Sequence, residues 1–282
     1  MRLPLKVHAV KIKYRERLLR NIPHGKFSTY RGKRSILVTY IPGNPDVSVR
    51  SPKRYVLTGK LGKLYTPQIE QYLNIKAEYD RLLAEWRATY SFEPPEVKFP
   101  IVQTYDPHGM NNEYYEQAVA NQSDMPNKHP VYSGDDVFKS KNEQFGKDVL
   151  CSLGIPYKYE TLLGDENAKN PDFLLSFFEI DRCIYAEICG MTDDYEYSTK
   201  LARKINFYST HNYRHEREVI YCFMHDKYNF DEECFAAMVL SAFDMLIPDS
   251  ALDWNNCRPP RITSSSAPRS QHSASRRTRQ EH

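Results

Sequence analysis

The chain has 282 residues, 40% hydrophobic and 27% charged, enough for one large domain or two modest ones with a sizeable core. The longest apolar run, Cys234 to Phe243, is about half the ~20 residues of a membrane helix, and the start from Met1 to Lys6 lacks the apolar stretch of a secretory signal. The net charge of +3 conceals a segregation: residues 1–64 hold 16 Lys and Arg against 2 acidic residues, and 258–282 hold 6 against 1, leaving −16 on residues 65–257.

Six cysteines are scattered without CxxC spacing, which points to reduced thiols in a cytoplasmic protein and excludes a disulfide frame or zinc knuckle. A basic arm on an acidic body predicts an anionic partner, nucleic acid first, with no membrane role. The plain alternative is that the arm packs on the body.

In chain order, residues 1–95 read as a basic α+β accessory region. Ser35–Tyr40 and Tyr55–Thr58 are strand-like, separated by a turn-rich stretch containing Pro42-Gly43-Asn44-Pro45. Lys11, Lys13, Arg15, Arg17, Arg31, Lys33 and Arg34 interleave with Tyr14, Tyr30 and Tyr40, a pattern suited to gripping phosphates and stacking bases. Gly59-Lys60-Leu61-Gly62-Lys63 lacks the hydroxyl residue of a nucleotide-binding loop and reads as a basic turn. A helix is predicted over Thr66–Tyr90, its stripe of Ile69, Tyr72, Leu73, Tyr79, Leu83, Trp86 and Tyr90 serving as core. Residues 96–137 read as an irregular connection, and 258–282 as a disordered basic tail.

From 138 to 250 the pattern becomes regular. A helix over Phe138–Leu153 is closed by Gly154. Strands follow at Tyr157–Leu163, Asp172–Phe178 and Arg182–Cys189, then a helix over Asp194–Tyr208, a strand over Glu218–Met224 and a helix over Asp231–Met245. The α-β-β-β-α-β order predicts an α/β domain, a mixed sheet with helices on its faces.

Three acidic residues converge in that order. Glu143 borders the apolar stripe of the first helix, Asp172 opens the strand Phe173–Phe178, and Glu187 lies near the end of Arg182–Cys189. Strand alternation sends Tyr185, Glu187 and Cys189 to one face and Ile184, Ala186 and Ile188 to the other. Carboxylates on neighbouring buried strands repel unless paired, and Mg²⁺ or Mn²⁺ would reconcile them; the bland reading is solvent-exposed strand ends.

Ser140-Lys141-Asn142-Glu143, Asn170-Pro171-Asp172 and Glu187-Ile188-Cys189, in this order and spacing, resemble the signature of the PD-(D/E)xK, or restriction-endonuclease-like, nuclease superfamily. Tyr185 to Tyr197, continuing to Lys204 and Tyr208, looks like a largely uncharacterised bacterial branch of it. The resemblance implies a restriction-endonuclease-like αβββαβ core, with Asp172, Glu187 and the Ile188 carbonyl as metal ligands and Glu143 binding directly or through water. Where that superfamily carries a lysine, two residues after the strand glutamate, this chain has Cys189. Lys204 and Tyr208, four apart on the second helix, share a face, with Lys200 one turn earlier, so a lysine from this helix could stand in. The expectation is a metal-dependent nuclease acting on DNA, with a homodimer as one arrangement. The alternative is a degenerate nuclease fold that binds nucleic acid or serves in an assembly.

Overall fold

A computed structural model describes residues 2–102, 105–119, 131–133, 136–163, 170–190, 195–224 and 230–257; the basic tail and residues 191–194 of the superfamily-like stretch lie outside the described residues. It opens with a helix the patterning conceals, α1 (Leu5–Arg20), in the first 64 residues, which read as a small β-containing lobe. Val7, Lys11 and Arg15 lie one turn apart on a buried face beside His8 and Ile12. Two cations in the buried stripe make an inward face read as a solvated one.

After α1 an antiparallel sheet forms from β1 (His24–Tyr30), β2 (Lys33–Tyr40) and β3 (Lys53–Val56). Arg31 and Gly32 link β1 to β2 with φ of 47° and 74°, the two positive values that a tight hairpin turn of matching twist needs. The long helix α2 (Lys60–Thr89) begins six residues before the predicted Thr66. Gly59–Lys63 is therefore the start of a helix rather than a basic turn. A Cβ on Gly62 would lie 1.9 Å from the Val56 carbonyl oxygen, so only glycine lets α2 leave the sheet this closely. Pro67 sits inside α2.

The connecting stretch is not wholly irregular. Its β4 (Glu96–Val97) pairs with a strand near the C-terminal end, it forms the short helix α3 (Asn112–Gln117), and β5 (Val131–Ser133) pairs with β6 (Asp136–Phe138). Phe138 thus belongs to a strand, and α4 (Lys141–Leu153) starts later than predicted because the Ser140 side chain caps it by accepting from the Glu143 N–H at 3.2 Å. Gly154, at φ 62°, closes α4.

Then come β7 (Tyr157–Tyr159), β8 (Phe173–Phe177), β9 (Arg182–Cys189), α5 (Tyr195–Thr210), β10 (Val219–Phe223), α6 (Glu232–Met245) and β11 (Leu252–Asp253), the partner of β4. The predicted order holds, although β7 stops short of Leu163; Glu160, at φ 45°, turns the chain away. The strands run β10-β9-β8-β7 across a mixed sheet, with β9 and β10 parallel and the other pairs antiparallel.

Alternation along β9 divides the core. Ile184, Ala186 and Ile188 face a cluster with α4, α6, α1 and the end of α2, which includes Trp86 and the stacked Phe177 and Phe243 rings 4.4 Å apart. Each large apolar side chain buried there contributes about 1.5–3 kcal/mol. Cys183, Tyr185 and Cys189 face a second cluster with Tyr208 and Met110. The four-stranded sheet is thus covered on both faces, and its central strand is buried along its whole length.

Electrostatics tie α1 to this body. Lys11 Nζ is 3.2 Å from Glu179, on the turn Phe178–Ile180, and Arg15 pairs with Glu179 and, at 2.8 Å, with Glu78. Burial would raise the Glu179 carboxyl, but the Lys11 and Arg15 cations hold it below its ordinary range. Lys13 pairs with Glu16 at 3.2 Å and Glu96 at 2.6 Å. Lys11 and Arg15 are therefore structural ion-pair partners, not phosphate ligands, and Lys13 is engaged as well. The packing alternative holds for this part of the arm. All six cysteines are free, and among the described residues no helix is long and apolar enough to cross a membrane.

Candidate active site

Pro171 and Asp172 stand at the mouth of β8, where the strand ladder runs out. The last backbone pair of β8 with β9 is Phe173 opposite Ala186; beyond it the Asp172 side chain continues the ladder, Oδ2 accepting from the Ile188 N–H at 2.7 Å. Asp172 is thereby anchored to the strand that carries Glu187. Glu187, only 2% exposed, points to the α5 face of the sheet, as alternation predicts.

On α5 the spacing Tyr197, Leu201, Lys204, Tyr208 forms the inward face. Lys204 donates to Glu187 Oε2 and lies 3.7 Å from Asp172 Oδ1, so one ammonium spans the two carboxylates. Tyr208 donates to the other Glu187 oxygen, and Tyr197 donates to the Ile188 carbonyl at 3.4 Å. Lys200 is exposed and lines the mouth of the cleft without reaching the carboxylates. Of the two candidate lysines, Lys204 is therefore the one at the site.

Glu143 shares the cleft but is held from behind. Its Oε2 accepts from the Lys139 N–H at 3.0 Å and from the Tyr159 hydroxyl, so the first turn of α4 also presents a carboxylate. Lys139 pairs with Glu160 on the rim. The sequence reading missed Tyr159, Glu160, Lys139 and Tyr197. Tyr197 was discoverable from its helical spacing to Lys204. Tyr159 carried only strand alternation, and the Lys139–Glu160 pair left no local signal.

The cleft encloses about 440 Å³, lined by Glu143, Asp172, Glu187, Ile188, Lys204 and neighbours. Three carboxylates face one embedded ammonium, and the excess of negative charge is costly in so buried a place. Burial, reinforced by Asp172, pushes the Glu187 carboxyl up to about 8 despite Lys204 and Tyr208; the same two causes push Glu143 up to about 7. Desolvation opposes the Lys204 charge, but Asp172 and Glu187 outweigh it and hold the ammonium above its ordinary range. Such a donor set lacks positive charge.

Among the described residues, no group of three or more His, Cys, Asp or Glu is placed to hold a metal ion by itself. The residues present fit a smaller demand: Mg²⁺ is commonly held by one or two carboxylates, retaining water and binding substrate phosphate. Cys189 is 1% exposed, and burial with Glu187 nearby raises its thiol strongly, so it is a neutral packing residue. His211 Nδ1 donates to the Phe207 carbonyl, and His215 is beside Tyr221; neither joins the cleft.

No family model, curated protein or solved structure matches the chain.

Proposed function

We propose that the cleft hydrolyses phosphodiester bonds in DNA with Mg²⁺ or Mn²⁺, and that the domain is a restriction-endonuclease-like nuclease. The observation that carries this reading is the Lys204 ammonium spanning Asp172 and Glu187, which restores from α5 the cation absent at Cys189. Asp172, Glu187 and the Ile188 carbonyl would hold the metal, with Glu143 reaching it through water. When bound, the ion would polarise a phosphate oxygen and acidify a water.

The protein's own groups have distinct tasks. Lys204 orients the attacking water and steadies negative charge as it develops on the phosphoryl oxygens. Tyr208 fixes Glu187, while Tyr159 and the Lys139 N–H fix Glu143. The water oxygen forms a bond to phosphorus as an ester P–O bond breaks; the water loses a proton and the leaving oxygen gains one.

Nicking of supercoiled plasmid tests the proposal. The expected result is strand scission in Mg²⁺ or Mn²⁺ that EDTA abolishes and that both Asp172→Ala and Glu187→Ala lose. Equal scission by wild type and both variants would place the chemistry elsewhere. Absence of scission with DNA binding intact in all three proteins would support the degenerate, binding-only alternative.

A further inference from the structure

The charge segregation of the N-terminal region is resolved in only one of its two parts. On α1, Lys11, Lys13 and Arg15 pair with Glu179, Glu78, Glu16 and Glu96, and Arg17 lies over the Phe99 ring. Residues 24–64 hold nine Lys and Arg (Lys26, Arg31, Lys33, Arg34, Arg50, Lys53, Arg54, Lys60 and Lys63) against a single acidic residue, Asp46. None of the nine has an ion-pair partner among the described residues. That is unusual in a chain with 36 acidic residues.

Register shows where these charges go. The inner face of the sheet carries Ile36 and Val38, packed with Ile69 of α2. The opposite face carries the alternate residues: Lys26 beside Leu37 and Arg54, Ser28 beside Ser35 and Val56, and Tyr30 beside Lys33. Lys26, Tyr30, Lys33, Arg54 and Val56 are all exposed. Arg54 is fixed on this face by Ser28 Oγ at 2.7 Å and Ser35 Oγ at 3.3 Å. Its guanidinium lies 4.9 Å from the Tyr30 ring centre, and that of Arg31 lies 5.3 Å from it. Tyr30 therefore orders two guanidinium groups at one end of a flat, cationic face.

We infer that the outer face of the β1–β2–β3 sheet is a nucleic-acid docking surface that grips backbone phosphates. The inference rests on the nucleic-acid reading of the cleft and moves the contact from α1 to the sheet. Charge complementarity selects the occupant. Lys26 and Arg54 flank Leu37 from the two outer strands, and Arg31 and Arg54 gather at Tyr30 opposite Lys33, so separate cations are spread over one exposed face, an arrangement that suits the phosphates of a nucleic-acid backbone. Arg34 and Lys53 lie on the other face, opposite Thr29 and Val38, and do not belong to this set.

The test is binding of a labelled 30-base-pair DNA duplex by the full chain in EDTA, over a series of salt concentrations. The variant Lys26→Glu/Arg31→Glu/Lys33→Glu is compared with Lys76→Glu/Arg81→Glu/Arg87→Glu on α2, which changes net charge equally. Without three of its phosphate-gripping cations, the sheet variant should flatten the slope of log K against log salt by about 2–3 and weaken binding ~100-fold or more at 100 mM salt. The α2 variant should stay close to wild type in slope. Equal losses in both, no loss in the sheet variant, or no wild-type binding at 25 mM salt would each overturn the inference. So would wild-type binding to phosphatidylserine vesicles in place of DNA. Because metal and cleavage are absent from the assay, a catalytically silent protein still supports the surface if the sheet variant alone loses DNA.

Discussion

At the scale of single residues, the site turns on how Glu143 and Glu187 share too little positive charge. Their raised carboxyl pKa values, to about 7 and about 8, fix the sign of the pH dependence. The folded protein binds more protons than the unfolded one between the ordinary carboxyl range and these values. The contribution is therefore complete below about pH 4.5 and is lost as pH rises through 7 and 8. Metal-free protein should accordingly lose thermal stability from pH 5 to pH 8.5, and Mn²⁺ should restore more of it at pH 8 than at pH 6, because the ion displaces the protons. Melting curves with and without Mn²⁺ check this, and Glu187→Gln should remove most of the Mn²⁺ effect. Tyr208→Phe should slow cleavage ~10-fold and move its alkaline-rising limb to higher pH, since a hydrogen bond that favours ionised Glu187 disappears. A pH–rate profile of the variant measures both changes.

At the scale of elements, α4 touches the strand that carries Glu187 because residue 146 is glycine. A Cβ there would come within 2.6 Å of Ile188 Cδ1 and 3.3 Å of Phe173 Cε2, on the two strands that carry Glu187 and Asp172. Gly146→Ala should cost about 1–3 kcal/mol in denaturant unfolding and lower cleavage beyond what stability explains. Ser140→Ala removes the cap of α4, a loss of ~1 kcal/mol, and loosens the turn that presents Glu143. Elements from 138 onward were legible because they keep a clean period: alternation in Arg182–Cys189 even assigned the faces correctly. Their ends were not, since β7 ends at the unforeseen positive φ of Glu160 and α4 begins at a cap inside a run read as helical. Helical spacing put Lys204 and Tyr208 on one face, but the expectation that a lysine of this helix meets Asp172 and Glu187 came largely from the resemblance, and Tyr159 reaches Glu143 through a tertiary contact with no local trace.

At the scale of the molecule, one charge asymmetry has two structural outcomes. Sequence alone weighed nucleic-acid binding against packing on the acidic body as rivals, and the fold pairs Lys11, Lys13 and Arg15 of α1 with carboxylates while leaving the cations of the sheet without ion-pair partners among the described residues. Periodicity missed α1 because Lys11 and Arg15 occupy its buried face, and the distant residues Glu179, shared by both, and Glu78, beside Arg15, make that burial tolerable. Glu179→Gln should therefore destabilise the protein by about 3–5 kcal/mol in denaturant unfolding, by leaving two buried cations without their shared carboxylate. Loss of an exposed pair such as Arg81–Glu85 should cost no more than about 0.5 kcal/mol.

The role proposed for Lys204 is to supply from α5 the cation a nuclease strand would otherwise carry at Cys189. Its most direct test is single-turnover DNA cleavage by Lys204→Met, with Mn²⁺ affinity measured on the same samples. Cleavage should be at least ~100-fold slower than in wild type, with Mn²⁺ still bound at Asp172 and Glu187. Wild-type rates from Lys204→Met would contradict it.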